Sequence, residues 1–135
     1  MTTEKQNVGK FGEDLAARYL ENHGCKILER NYRKKWGEID IVASEGDELI
    51  FVEVKSQKER WNWRPEENIT RHKKHQLSRI ISTYLKENKI PEDRDWRIDV
   101  VAIELDFENQ NAPLESRGPL TGQARVEHIK NILLN

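Results

Sequence analysis

Asp40 and Glu53 interrupt the two best apolar stretches of the chain, Ile39–Ala43 and Leu49–Val54. Strands this apolar usually exclude charge, because an ionised carboxylate taken out of water is costly unless it is paired. Side chains alternate between faces along a strand. Ile39, Ile41 and Ala43 therefore oppose Glu38, Asp40 and Val42, and Ile50, Val52 and Val54 oppose Phe51, Glu53 and Lys55. Ser44-Glu45-Gly46-Asp47 is turn chemistry, so the two strands are expected to form an antiparallel hairpin. A four-residue turn over Glu45–Glu48 sets Asp40 directly opposite Glu53. A two-residue turn at Glu45-Gly46 makes them diagonal neighbours. Both registers keep Ile39, Ile41, Ile50, Val52 and Val54 together on the apolar face, and both put the two acids on the other side.

Two adjacent carboxylates repel unless something positive sits between them. A divalent cation is the natural partner. Mg²⁺ prefers hard oxygen ligands, keeps several waters, and is held by one or two carboxylates plus a substrate phosphate. Lys55 follows Glu53 by two residues, so its amine points to the same face. There it could orient an attacking water and stabilise charge developing on a phosphate. An acid, then acid-x-lysine on the next strand, suits metal-assisted phosphodiester hydrolysis. Glu53-Val54-Lys55 alone would read as a solvated strand face. The pairing with Asp40 inside apolar strands gives the pattern its weight.

The elements that must position these residues follow from periodicity. Val8, Phe11, Leu15, Ala16, Tyr19 and Leu20 predict a first helix over roughly 8–23, with Gly24 as its stop. Cys25–Arg33 reads as a strand with imperfect alternation. Strands over Glu38–Ala43 and Glu48–Ser56 make the hairpin. Pro65 with Glu66 and Glu67 resembles a helix start, and Thr70 offers a cap for a second start. Leu77, Ile80, Ile81, Tyr84 and Leu85 form one stripe of a second helix reaching about Lys89 and ended by Pro91. Trp96–Leu105 reads as a fourth strand, 106–123 as a long loop, and Arg125–Leu134 as a short strand or a helical turn. The whole chain, 1–135, is expected to be one small α/β domain. Its mixed central sheet would carry the hairpin and be flanked by helices.

Composition agrees with a small core under a charged surface. Of 135 residues, 36% are hydrophobic and 35% charged, against a usual charged share of about 25%. The charges nearly cancel, 23 basic against 24 acidic, which excludes a globally basic protein but not a local basic face. A single cysteine, Cys25, excludes an intrachain disulfide and a Cys-built zinc site; it reads as a small buried residue. The four histidines show no zinc spacing. The N-terminal residues lack the apolar run of a signal peptide, and no apolar run is long enough for a membrane span. A reduced cytoplasm is the expected compartment, with no membrane partner.

With these residues in place, the sequence resembles a known family. GEID at Gly37–Asp40 and FVEVK at Phe51–Lys55 resemble the YraN-like family of bacterial proteins. Further matches are G-x-x-G-E at Gly9–Glu13, Leu15–Leu20, Asn31-Tyr32, Thr70 with Lys73, Arg97–Val101 and Val126–Ile129. That family is similar to the PD-(D/E)XK nucleases, and within them to archaeal Holliday-junction resolvases. The resemblance implies a restriction-endonuclease-like fold. It implies Asp40 and Glu53 as ligands of Mg²⁺ or Mn²⁺, the Val54 carbonyl completing the metal site, and Lys55 as catalytic lysine. It also implies Glu13 as an acid brought from the first helix; a carboxylate in a helix first turn is equally favourable without any such role. The implied substrate is DNA, branched or damaged DNA included, with RNA left open, and resolvase-like relatives act as homodimers. The alternative is a non-catalytic nucleic-acid- or partner-binding module that keeps the fold.

Two basic clusters flank the hairpin. Arg30, Arg33, Lys34 and Lys35 precede it, and Arg71, Lys73, Lys74 and Arg79 with His72 and His75 lie on the second helix. Lys34, Lys35, Lys73 and Lys74 are the expected phosphate contacts. Trp61 and Trp63, between Arg60 and Arg64, could stack on bases; packing on the domain or on a second subunit is the favoured reading.

Overall fold

The computed structural model describes residues 4–58, 70–91, 93–105 and 124–132. Helix α1 spans Glu4–Asn22, starting one turn earlier than its apolar periodicity predicts. Its end is a left-handed cap: Gly24 has φ +91°, and the Cys25 N–H reaches back to the Leu20 carbonyl at 2.9 Å. Strand β1 (Lys26–Lys34), β2 (Gly37–Glu45) and β3 (Glu48–Lys58) follow, then α2 (Arg71–Glu87), β4 (Trp96–Leu105) and β5 (Ala124–Ile129). Thr70 caps α2, its Oγ1 accepting the Lys73 N–H at 3.1 Å. The helix start read at Pro65, the Trp61–Trp63 loop and the loop 106–123 lie outside the described residues. The last segment resolves to a short strand.

The five strands form one sheet in sequential order. β1–β2, β2–β3 and β4–β5 are antiparallel, whereas β3–β4 is parallel. A parallel neighbour needs a crossover, and α2 lies within it. The sheet is therefore covered on both faces where it is most apolar. On one face Leu15, Ala16, Ala17 and Leu20 of α1 meet Ile41, Ala43, Ile50, Val52, Val101 and Ile103. On the other, Leu77, Ile80, Ile81, Tyr84 and Leu85 of α2 meet Val42, Leu49, Phe51 and Ile98. Phe51 packs edge-on against both Tyr84 and Trp96, at 5.6 and 5.7 Å between centroids. Each such pair adds about 0.5–1.5 kcal/mol beyond burial. At Gly12 helix α1 lies close against the sheet. A Cβ there would lie 1.8 Å from Ser56 Oγ and 2.7 Å from Ser56 Cβ, so no larger residue fits without moving the helix that carries Glu13.

The hairpin adopts the register that opposes Asp40 to Glu53, Ile41 pairing with Val52 and Ala43 with Ile50. Its turn is tighter than the four-residue reading, because Glu45 still pairs with Glu48 and only Gly46 (φ +59°) and Asp47 make the bend. One expectation is corrected. Ile39 does not stay with Ile41, Ile50, Val52 and Val54; it joins the α2 cluster. The cause lies on the neighbouring strand. Asn31 has φ +56°, a left-handed conformation that breaks the side-chain alternation of β1. Arg30 turns to α1, where it pairs with Asp14 at 2.7 Å. Tyr32 turns to α2, packing on Tyr84 and donating its hydroxyl to Glu87 at 2.6 Å. Ile39, paired with Tyr32, goes with it. A register shift between Ile27 and Glu29 further irregularises β1 and leaves Leu28 exposed, the sort of device that blunts an edge strand.

Candidate functional site

The β2–β3 ladder stops at Ile41↔Val52, one pair short of the two acids. There Asp40 replaces a backbone bond with a side-chain one: its Oδ2 accepts the Val54 N–H at 2.8 Å. Glu53 is only 5% exposed. Its Oε1 lies 3.4 Å from Lys55 Nζ and 3.3 Å from Lys73 Nζ. Its Oε2 is buried and has no hydrogen-bond donor among the described residues. A sealed carboxylate oxygen without a partner is expensive, and that oxygen is what a cation would satisfy. Asp40 and Glu53 thus fit a hard divalent ion as two carboxylate ligands. Among the described residues, no group of three His, Cys, Asp or Glu side chains comes together as a metal cluster. The protein's share of any coordination would be small, as Mg²⁺ accepts.

Burial, and then the neighbouring Glu53 carboxylate, push the Asp40 pKa up to about 7, with Glu38 and Glu13 adding and the Val54 N–H opposing. The folded state therefore holds a proton there that the unfolded chain has released above about pH 4. Stability of the metal-free protein should fall as pH rises through the window from about 4 to about 7. Asp40→Asn keeps an oxygen for Val54 and removes the charge. It is expected to raise stability at pH 8 by about 1–2 kcal/mol and to change little at pH 4. Urea titrations at the two pH values check this; a variant less stable than wild type at pH 8 contradicts the repulsion.

Lys55 and Lys73 are half-buried at the pair. Lys55 was expected there. Lys73 was expected on phosphates, and its contact with Glu53 is tertiary: the Thr70 cap starts α2 so that its first turn lands on β3. Glu13, which adds to the charge that raises Asp40, is held by β1. Asn31 Nδ2 and Arg30 Nη2 donate to its Oε1 at 2.9 and 3.2 Å. It lines a depression of about 650 Å³ with Lys10, Asp14, Arg30, Asn31 and Arg33. Asn31 is the residue that sequence reasoning missed as a holder of Glu13; an asparagine inside a poorly alternating strand was the available signal. Glu38 pairs with Arg33 at 2.9 Å. Lys34 is engaged with Glu87 at 2.7 Å, whereas Lys35 is exposed and Lys74 is half-buried.

Residues 12–103 match the family described as "Uncharacterised protein family UPF0102". The chain belongs to this family, the YraN-like proteins. Curated UPF0102 proteins are similar over most of their length. That of Chloroflexus aurantiacus is 43% identical over 103 residues, covering 76% of this chain and 83% of the relative. That of Beutenbergia cavernae is 38% identical over 128 residues, covering 95% and 97%. The matched UPF0102 region runs from Gly12 to Ile103 and so contains Glu13, Asp40, Glu53, Lys55 and Lys73.

Two further residues of this UPF0102 member, Asp99 and Cys25, are buried. Asp99, fully buried, accepts from Arg97 Nε at 3.0 Å and the Asn131 N–H at 2.9 Å, and bonds His128 Nε2 at 2.7 Å. Its neighbours Val101 and Ile103 pack on α1, so by alternation Asp99 faces away from Glu53. Cys25 is buried, and burial together with Glu45 raises its thiol pKa, which suits a packing residue rather than a nucleophile. No helix among the described residues is long and apolar enough to cross a membrane.

Proposed function

We propose that this chain is a metal-dependent nuclease that hydrolyses DNA phosphodiester bonds, branched or damaged DNA among its substrates. The observation that carries the reading is the unpartnered, buried Glu53 Oε2 beside an Asp40 carboxyl raised to about 7. Asp40 and Glu53, with the Val54 carbonyl, would hold Mg²⁺ or Mn²⁺. Such an ion supplies Lewis-acid polarisation of a phosphoryl oxygen. Lys55 keeps an ammonium at the same carboxylate, where it stabilises negative charge gathering on the phosphate. Lys73 adds a second ammonium and draws the polyanion toward an otherwise acidic spot. The test is a cleavage screen over branched, single-stranded and duplex DNA, and RNA, with Mg²⁺ and with Mn²⁺. Cleavage that requires the ion supports the reading.

One observation favours a second reading, a binding module without catalysis. Glu53 Oε1 already lies between two lysines, which is compensation enough for a site that never holds a metal. Metal binding separates the two readings. Both share a prediction: DNA affinity falls steeply with salt, because the basic clusters act by releasing counterions. Lys34 and Lys73 are partly neutralised by Glu87 and Glu53. Lys35→Glu with Lys74→Glu is therefore expected to weaken duplex binding strongly and to lower the slope of log K against log salt by about 2. A salt titration of fluorescent DNA gives the slope, and an affinity indifferent to salt contradicts nucleic acid as the partner.

A further inference from the structure

The turn between β1 and β2 folds over the outside of α2 and leaves a trough of about 440 Å³ between them. Trp36, His75, Arg79, Ser82, Thr83 and Lys86 line it. Among the described residues, no carboxylate contributes to that lining. The ion pairs made by α2 involve Lys73 and Glu87 instead, so Arg79 and Lys86 keep their charges free among the described residues. The trough is also built rather than merely charged. Trp36 Nε1 donates to Thr83 Oγ1 at 3.1 Å, and Thr83 Oγ1 donates to the Arg79 carbonyl at 3.0 Å. The indole so fixed carries the Arg79 guanidinium 5.3 Å from its ring centre, an orientation that costs little further entropy when an anion arrives.

We infer that this trough holds backbone phosphates of the DNA on one side of the position that Asp40 and Glu53 address. His75, Arg79, Ser82 and Lys86 recur at spacings of three and four residues and so form one stripe of α2, about 16 Å long. A stripe of that length suits several phosphates of one strand better than a single free phosphate. Trp36 precedes Asp40 by four residues, which sets it within about 14 Å of Asp40 along the chain. The hydroxyls of Ser82 and Thr83 and the cations of Arg79 and Lys86 are backbone-contact chemistry and carry no base readout. The trough therefore contributes affinity and placement without sequence preference. The inference rests on the proposed action on nucleic acid and extends its α2 basic cluster to a built trough by adding Trp36, Ser82, Thr83 and Lys86.

The experiment measures binding of a 30-base-pair fluorescent duplex in EDTA, so that no cleavage intervenes. Wild type is compared with Arg79→Gln/Lys86→Gln and with Arg79→Lys/Lys86→Arg. Both side chains are exposed, and matched urea midpoints verify that the variants fold. The neutral pair is expected to bind about tenfold more weakly at moderate salt, with a log K against log salt slope smaller by about 2. The charge-keeping pair is expected to retain the wild-type slope. Steep salt-dependent binding by wild type with an unchanged neutral pair overturns the trough and leaves the DNA reading intact. Absence of binding by wild type, even at low salt, overturns both.

Discussion

Asp40→Asn and Glu53→Gln are each expected to lower Mg²⁺-dependent DNA cleavage by about a thousandfold or more, with the fold intact. Each removes one charge at nearly constant shape from the carboxylate pair proposed to hold the ion. DNA binding should persist or tighten. In Glu53→Gln the ammonium groups of Lys55 and Lys73 lose their shared counter-charge and become free for phosphate. Lys55→Ala should spare metal binding and cost about a hundredfold to a thousandfold in rate, because its charge matters most as negative charge builds in the transition state. Lys55→Arg should be milder. The readout is initial cleavage rate alongside DNA affinity for wild type and the four variants. Equal rates for wild type and Glu53→Gln would mean that a contaminating nuclease does the cutting.

Asp99→Ala is expected to destabilise the fold by about 3–5 kcal/mol, the usual consequence of removing one partner from a buried charge network. Three groups lose their acceptor at once: Arg97, His128 and the Asn131 backbone. Asp99→Asn keeps part of the bonding and should cost less. Burial alone would raise the Asp99 pKa, but His128, Arg97 and the Asn131 N–H outweigh it and leave the carboxyl below its ordinary value. A lowered carboxylate pKa contributes stability that is complete above the unfolded value near 4 and is lost as pH falls through the folded value. Urea unfolding from pH 7 down to pH 3 should therefore show a steeper acid loss for wild type than for Asp99→Ala. Cleavage per folded molecule should be unchanged, since Asp99 faces the α1 side. A loss below about 1 kcal/mol, or a selective loss of cleavage at unchanged stability, contradicts a structural role.

Much of this arrangement is legible in local pattern. Alternation in Glu48–Ser56, and in Glu38–Ala43 apart from Ile39, marks the hairpin, and the turn's parity brings Asp40 opposite Glu53. The stripe Leu77–Leu85, closed by Pro91 and opened by Thr70, marks α2. Ile39 was misplaced because its face depends on Asn31 in the adjacent strand, whose left-handed backbone no alternation in β2 reveals. The tighter turn at Gly46-Asp47 escaped because both turn lengths preserve the same apolar face. Lys73 on Glu53, and His128 on Asp99, are contacts across 20 and 29 residues. Sequence spacing carries no information about such distances until the sheet order is known.

Binding of Mn²⁺ by the purified protein, followed by electron paramagnetic resonance, tests the metal assignment most directly, because it needs neither the correct substrate nor turnover. Wild type should take up the ion. Glu53→Gln, which loses the carboxylate bearing the unpartnered oxygen, should bind it at least about a hundredfold more weakly at unchanged stability, and Mg²⁺ should compete for the site. Equal Mn²⁺ binding by wild type and Glu53→Gln, or none by wild type, would contradict a metal centre built on Asp40 and Glu53.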